Sequence, residues 1–373
     1  MLQARKRNLL MRDFVFRFGF ILWLNSGFLL GCGQPKVTPT QPHHKSDGTF
    51  KDPYVTPPKK SFFSFLWMRM NTDWVDVSQA NLVPQEPVDS KRLAQVNQPQ
   101  EIQVTWLGHS CFLVQSDGFN LLTDPVFSER ASPVSFAGPK RYTEPAIKIN
   151  ELPKIDAVVI SHNHYDHLDL DSIELLEKHF DPQWYVPLKN GSLLESASVP
   201  KQRIYELDWW EQAEFKNSVQ AISMIATPAQ HWSARGLFDR NEMLWASWVI
   251  KIGSSTIFFG GDTGYQPKIF KAIGQKYGPF DIGLIPIGAY APRSFMRYAH
   301  VNPSEAVNIH LDIKSKQSFG AHWGTFPLTA EPVMEPVQKL KESLLKNKLK
   351  QESFIAPILG KTYQVFNPKN QAQ

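Results

Sequence analysis

Six consecutive residues, His162-Asn163-His164-Tyr165-Asp166-His167, constrain this chain more than any other feature. They follow the apolar run Ala157-Val158-Val159-Ile160, which reads as a buried strand. The chain must turn where that strand ends. It then points three imidazoles and a carboxylate into one small volume. Imidazole nitrogen and carboxylate oxygen are the ligands that zinc and similar ions take. One tetrahedral ion cannot use all four groups and keep an open position. His-x-His can clasp one ion, while the adjacent Asp-His pair turns toward a second.

The start of the chain reads as an address rather than as fold. Arg5, Lys6, Arg7, Arg12 and Arg17 precede an apolar stretch at 18–30, then Gly31-Cys32. A basic region, a short apolar region and a small residue describe a secretory signal. Leu29-Leu30-Gly31-Cys32 resembles a bacterial lipobox, whose Cys is acylated and becomes the new N-terminus. The stretch is short for a membrane span of about 20 residues. An uncleaved anchor, or an ordinary signal with an incidental Cys, are the alternatives. The expected plan is a signal over 1–31, a lipidated Cys32 with a Pro-rich tether over 32–60, and a hydrolase domain over 61–373. The expected place is the bacterial cell envelope, at the outer membrane facing the periplasm, with Cys32 holding the protein to the membrane surface.

The cut changes the charge argument. The chain has 40 basic and 35 acidic residues, a net charge of +5. Five of the basic residues and one acid, Asp13, fall within 1–31. The remainder is close to neutral, so charge gives no reason to expect nucleic acid as a partner. Cys32 and Cys111 are the two cysteines. With Cys32 acylated, a disulfide scaffold is excluded, and Cys111 reads as a small buried apolar residue.

Residues 33–60 carry six prolines among Lys, Thr, Gln and Gly, with little to bury. That composition predicts an extended or disordered tether in which His43 and His44 have no structural part. The apolar segment at 62–68 is either a helix packed on the domain or a patch resting on lipid. The folded domain is expected to start near Gln103. Strands are predicted over 104–107, 111–114 and 120–122, with Ser116-Asp117-Gly118 as the tight turn. A helix is predicted over 170–180. Further strands are predicted at 221–225, 245–252, 256–259, 282–287 and 318–321. Asn302-Pro303-Ser304-Glu305 has the pattern of a capped helix start. Strands alternating with helices suggest stacked layers with sheet inside. No internal repeat is evident.

Three more candidate ligands stand at the ends of apolar runs: His231, Asp262 and His322. In this order, after the histidine-rich motif, they complete two ligand sets. The order resembles the metallo-β-lactamase superfamily. Within it, the chain is similar to the family of phospholipases D that hydrolyse N-acyl-phosphatidylethanolamine. The stretches that carry the narrower likeness include Thr105-Trp106-Leu107-Gly108-His109, Leu122-Thr123-Asp124-Pro125 and Gly138-Pro139-Lys140-Arg141. Leu207-Asp208-Trp209-Trp210-Glu211, Gln230-His231-Trp232, Gly261-Asp262-Thr263-Gly264-Tyr265, Ile285-Pro286-Ile287-Gly288-Ala289-Tyr290 and His322-Trp323-Gly324-Thr325 add to it. The stretch after His231, 233–242, matches only in part.

The resemblance implies an α/β fold, the αββα sandwich, with a dinuclear metal site at one edge. It implies two divalent ions, zinc being the expected pair. His162, His164 and His231 would hold one; Asp166, His167 and His322 would hold the other; Asp262 would bridge them. Two divalent ions, two carboxylates and a bridging hydroxide leave a cluster near +1, which attracts a phosphodiester. The hydroxide would attack phosphorus. A phospholipid substrate would give phosphatidic acid and an N-acylethanolamine. Asp166, Asp262 and His300 are the expected catalytic residues. His300 either contacts phosphate or donates a proton to the leaving oxygen; its structural alternative is a bond that fixes the loop before the helix. Asp124 and His109 either orient ligands or serve the turn and core. Trp209, Trp210 and Tyr290 either line an acyl groove or fill the core. His179 and His310 read as surface or helix residues. The competing functions are a lactonase or amide hydrolase on the same fold, and a lipoprotein that binds lipid without catalysis.

Overall fold

The computed structural model describes residues 41–58, 68, 70, 72, 77–95, 101–216 and 221–366. The signal, Cys32 and residues 62–67 lie outside them. Two seven-stranded sheets form the body of the protein. The strands are β1 Glu101–Gly108, β2 Cys111–Ser116, β3 Phe119–Thr123, β4 Ala157–Val159, β5 Gln183–Pro187, β6 Ile204–Leu207 and β7 Gln212–Lys216. They continue with β8 Ala221–Thr227, β9 Ser247–Ile252, β10 Ser255–Phe259, β11 Phe280–Pro286, β12 Ser315–Ala321, β13 Phe354–Ile355 and β14 Thr362–Phe366. The first sheet has the order β14-β1-β2-β3-β4-β5-β6 and the second β13-β12-β11-β10-β9-β8-β7.

Both sheets share one plan. Three antiparallel strands (β1-β2-β3, or β8-β9-β10) lead into parallel ones (β4-β5-β6, or β11-β12-β13). The two halves thus repeat a topology that the sequence does not show.

The strands are apolar on both faces because both faces are covered. Phe112 and Val114 of β2 face the core between the sheets, whereas Leu113 packs outward. Helix α1 (Leu170–Phe180) brings Ile173 and Leu176 to that outer cluster. Helix α2 (Pro267–Lys276), helix α3 (Pro303–Asp312) and helix α4 (Glu335–Lys346) belong to the other side, and α3 packs on β11 and β12. The result is the expected four-layer sandwich. Asp117 and Gly118, at φ 49° and 75°, make the tight β2–β3 turn in the left-handed region that a two-residue hairpin needs. Asn302 and Glu305 form the reciprocal capping box predicted at the start of α3.

Residues 41–58 correct the tether expectation. The described residues 41–58 belong to the same compact unit as the two sheets. Phe50 is buried in the central core, and His43 is 3% exposed. A local turn explains this: His44 bridges Phe50, and Lys45 N–H donates to Thr49 O. The folded part also starts before Gln103, since Val83 and Leu93 are buried in the two clusters. Cys111 is buried as expected, and so is Met68. His310 is a helix residue but not a surface one: it is buried in α3, with Nδ1 2.8 Å from Ser318 Oγ. His179 is exposed on α1.

Candidate metal centre

Every candidate ligand follows the C-terminal end of a strand, and the strands come from both sheets. The histidine motif follows β4, His231 follows β8, Asp262 follows β10 and His322 follows β12. Two sheets that meet at one edge therefore aim seven side chains, far apart in sequence, into one volume. The backbone there is specialised. His322 has φ 60°, and Gly261, just before Asp262, has φ 56°. A Cβ on Gly261 would lie 2.4 Å from Ser161 Cβ, so only glycine fits this approach of the β10 turn to the β4 turn.

Two groups of donor atoms result. His162 Nε2 and His231 Nε2 lie 2.8 Å and 3.3 Å from His164 Nδ1. Asp166 Oδ2 lies 3.4 Å from His167 Nε2 and 3.2 Å from His322 Nε2. Asp262 Oδ2 sits between the groups. It is 3.1 Å from His167 Nε2, 3.1 Å from His322 Nε2, and 3.9 Å from both His162 Nε2 and His231 Nε2. One oxygen thus faces nitrogens of both sets.

The far sides of the His162, His167 and His231 rings are tied down. His167 Nδ1 is 2.6 Å from Asp124 Oδ2, and Asp124 also accepts from Ser161 N–H at 2.7 Å and Ser161 Oγ at 2.6 Å. His162 Nδ1 lies 2.8 Å from Ser161 Oγ. His231 Nδ1–H donates to Ala299 O at 3.0 Å. His109 Nε2 reaches Asp166 Oδ2 at 3.0 Å, and its carbonyl accepts from His322 N–H. Asp124 and His109 therefore bond to candidate ligand residues, the contacts that the ligand-orienting reading expects. Such outer bonds fix ring orientation and tautomer.

The donor chemistry fits divalent cations. Asp262 Oδ1 is buried with no hydrogen-bond partner, and His167 and His322 Nε2 are buried with none of well-formed geometry. Groups of this kind are costly unless something binds them. Burial pushes His231 down to about 3 and His162 well below the usual imidazole range, so both are neutral, as metal binding requires. Burial opposes ionisation of Asp262, yet His167, His322 and His300 hold its carboxyl well below the usual range. Burial also opposes charge on His322, yet Asp262 and Asp166 push it up to about 9. His167 is raised in the same way by Asp262, Asp166 and Asp124. The two carboxylates stay ionised, and cations would displace the protons that otherwise balance them.

His300 completes the edge. Its Nδ1 lies 3.7 Å from Asp262 Oδ2, and it is buried only in part. Arg293 holds its carbonyl at 2.7 Å while pairing with Glu305 of the capping box. Trp209 and Tyr290 are core residues: Trp209 Nε1–H donates to Trp245 O, and Tyr290 O–H to Glu335. Trp210 is partly buried and packs against the same core. The acyl-groove alternative for these three is not what the structure shows.

Sequence reasoning missed Arg235. Its guanidinium lies 4.0 Å from the centre of the Tyr165 ring and donates to Asn163 O and Leu168 O, clamping the motif loop. It falls in the partly matching stretch after His231, where nothing in the pattern marks it. A groove of 360 Å³ opens beside this clamp, lined by Arg130, Val134, Tyr165, Leu170 and Arg235 among others. Three apolar side chains that follow its lining residues Ser135 and Arg235 in sequence are exposed: Phe136 is 82% exposed, Leu237 90% and Phe238 93%.

The sequence profile of the family described as "Beta-lactamase superfamily domain" matches residues 119–323. The chain is 43% identical over 267 residues to N-acyl-phosphatidylethanolamine-hydrolyzing phospholipase D 1 of Caenorhabditis elegans, covering 70% of this chain and 75% of that one. It is 38% identical over 260 residues to the mitochondrial N-acyl-phosphatidylethanolamine-hydrolyzing phospholipase D of Saccharomyces cerevisiae, covering 69% of this chain but 55% of that one. Among solved structures, the fold is similar to Igni18, a metallo hydrolase of Ignicoccus hospitalis, with a TM-score of 0.53 and 20% identity over 72% of this chain and 99% of that one.

Proposed function

The chain belongs to the metallo-β-lactamase superfamily and is a metal-dependent hydrolase, and on that premise we propose that it is a phosphodiesterase of phospholipase D type. Its substrates are N-acyl-phosphatidylethanolamine-like lipids; its products are phosphatidic acid and an N-acylethanolamine. The observation that carries this reading is the position of Asp262 Oδ2, 3.1–3.9 Å from imidazoles of both ligand sets. Two relatives named for the same activity support it.

In this reading His162, His164 and His231 would hold one divalent ion and Asp166, His167 and His322 the other, with the Asp262 carboxylate facing both sets; zinc would suit the donor set. Bound there, the pair supplies Lewis acidity and a nucleophilic water for attack on phosphorus. The protein supplies the rest. Asp124, Ser161, His109 and the Ala299 carbonyl keep the ligand rings aimed. His300 faces the centre of the site and either contacts a phosphoryl oxygen or carries the proton to the departing alkoxide. Because Arg293 and the capped α3 hold its backbone, little reorganisation is needed when the diester arrives.

The exposed side chains of Phe136, Leu237 and Phe238, close in sequence to the groove's lining residues, support a substrate met at a lipid surface. The proposed location is the bacterial cell envelope, with Cys32 as the lipid-bearing residue. Among the described residues no helix is long and apolar enough to cross a membrane. Purified protein given vesicles of N-acyl-phosphatidylethanolamine should release phosphatidic acid and N-acylethanolamine together. Release of free fatty acid instead, or turnover of acyl lactones alone, would move the chemistry from phosphorus to carbonyl carbon.

A further inference from the structure

The two arm histidines that composition marks as inert meet a carboxylate of the body. His43 Nε2 lies 2.6 Å from Asp208 Oδ1, and His44 Nε2 lies 2.9 Å from Asp208 Oδ2. The donor atoms of all three residues fall within 4.8 Å of one another. The rings of His43 and His44 are 4.5 Å apart at 86°. Those of His162 and His164, two ligands of the proposed catalytic pair, are 4.5 Å apart at 81°. The edge-on pairing of imidazoles found at the proposed catalytic edge thus recurs between His43 and His44.

Both halves of the cluster are built. On the arm, Lys45 N–H donates to Thr49 O, Lys51 N–H to His43 O, and Asp47 accepts from Thr49 N–H, so a small turn fixes the two histidines. On the body, Asp208 N–H donates to Glu211, Trp209 N–H donates to Asp208 Oδ1 at 2.7 Å, and Trp210 holds φ 73°. Trp209 stacks on His43 with centroids 4.2 Å apart. His43 is 3% exposed and Asp208 7%. Residues 208–211 carry the chain from β6, an edge strand of the first sheet, to β7, an edge strand of the second.

We propose that His43, His44 and Asp208 form a separate site for a third divalent transition-metal ion, which fastens the N-terminal arm to the crossover between the sheets. Two imidazole nitrogens and one carboxylate oxygen suit zinc, cobalt or nickel, with water completing the shell. The arm also meets the body where Phe50 N–H donates to Asn241 O and where Lys189 Nζ donates to Gly48 O. The ion would hold residues 41–58 in place beside the segment after His231 that carries Asn241, and beside Tyr298, whose O–H lies 3.4 Å from Asp52. The role is structural and independent of the reaction assigned above.

The test counts metal in the full chain. Wild type, H43A/H44A and D208N are equilibrated with buffered zinc, and in parallel with cobalt(II), and bound ions per chain are measured by elemental analysis. Because the comparison is a difference, it does not depend on how many ions the catalytic edge holds. The expected result is one ion fewer per chain in each variant, with the other ions retained and the arm cut faster by protease. In wild type, a chelator should speed that cleavage. D208N keeps the side-chain shape, so it decides the matter if the double variant fails to fold. An equal ion count in wild type and D208N would overturn the proposal and leave a hydrogen-bonded clasp.

Discussion

At the residue scale, Asp262 and His300 divide the work. Asp262→Asn removes the charge that faces both ligand sets while keeping shape. It should lower bound metal by at least one ion per chain with circular dichroism unchanged. His300→Gln should leave metal content intact and lower kcat about 100-fold or more, the scale of a lost proton-transfer or phosphate contact. Metal loss in His300→Gln would instead make His300 a ligand. His310 offers a test away from the site. Burial pushes it down to about 4 from an ordinary 6.5. A lowered folded pKa means that the unfolded chain binds the extra proton first. Its contribution is therefore full above about pH 6.5 and is lost as pH falls toward 4, about 3 kcal/mol in all. Denaturant titrations of His310→Gln should show a shallower acid slope than wild type by that amount. Equal slopes would mean that the imidazole is already charged in the fold. The clustering of the candidate ligands was legible in the sequence because a run of three histidines and an aspartate has few other uses. His43 and His44 were not, because their partner Asp208 lies 165 residues from His43 and composition carries no trace of it.

At the element scale, local rules carried over well. The Asp117-Gly118 turn and the α3 cap are written in adjacent residues, so the sequence shows them directly. Helix α1 runs over the predicted 170–180 for the same reason, as its apolar residues fall at helical spacing. What was not legible depends on tertiary partners. Arg235 clamps the motif loop from a separate segment, and the arm reads as solvent-loving until its own turn and Asp208 are seen together. The shared plan of the two sheets was hidden because topology repeats while residues do not. The α3 cap also reaches the site: Glu305 accepts from Asn302 N–H and pairs with Arg293, which holds the His300 carbonyl. Asn302→Ala should therefore cost about 1 kcal/mol in urea unfolding. It should also lower kcat more than it changes KM. Lost stability with unchanged kcat would separate the cap from the positioning of His300.

At the scale of the whole molecule, the two sheets act as one frame. Strand ends from both converge at a single edge, where burial keeps His162 and His231 neutral and neighbouring imidazoles keep Asp166 and Asp262 ionised against their burial. That edge stands beside a groove, and three exposed apolar side chains follow the groove's lining residues in sequence. Leu237→Ser with Phe238→Ser should reduce turnover of vesicle lipid about 10-fold and weaken vesicle sedimentation, while a short-chain monomeric diester is cleaved as before. Equal loss on both substrates would make these residues part of the site rather than of lipid contact. The central claim is that water attacks phosphorus, so the fate of that water oxygen is the most direct measurement. Turnover of N-acyl-phosphatidylethanolamine in ¹⁸O-labelled water, followed by mass spectrometry of both products, should place the label in the phosphate of phosphatidic acid and none in the N-acylethanolamine. Label in the alcohol, or in a liberated fatty acid, would contradict the account.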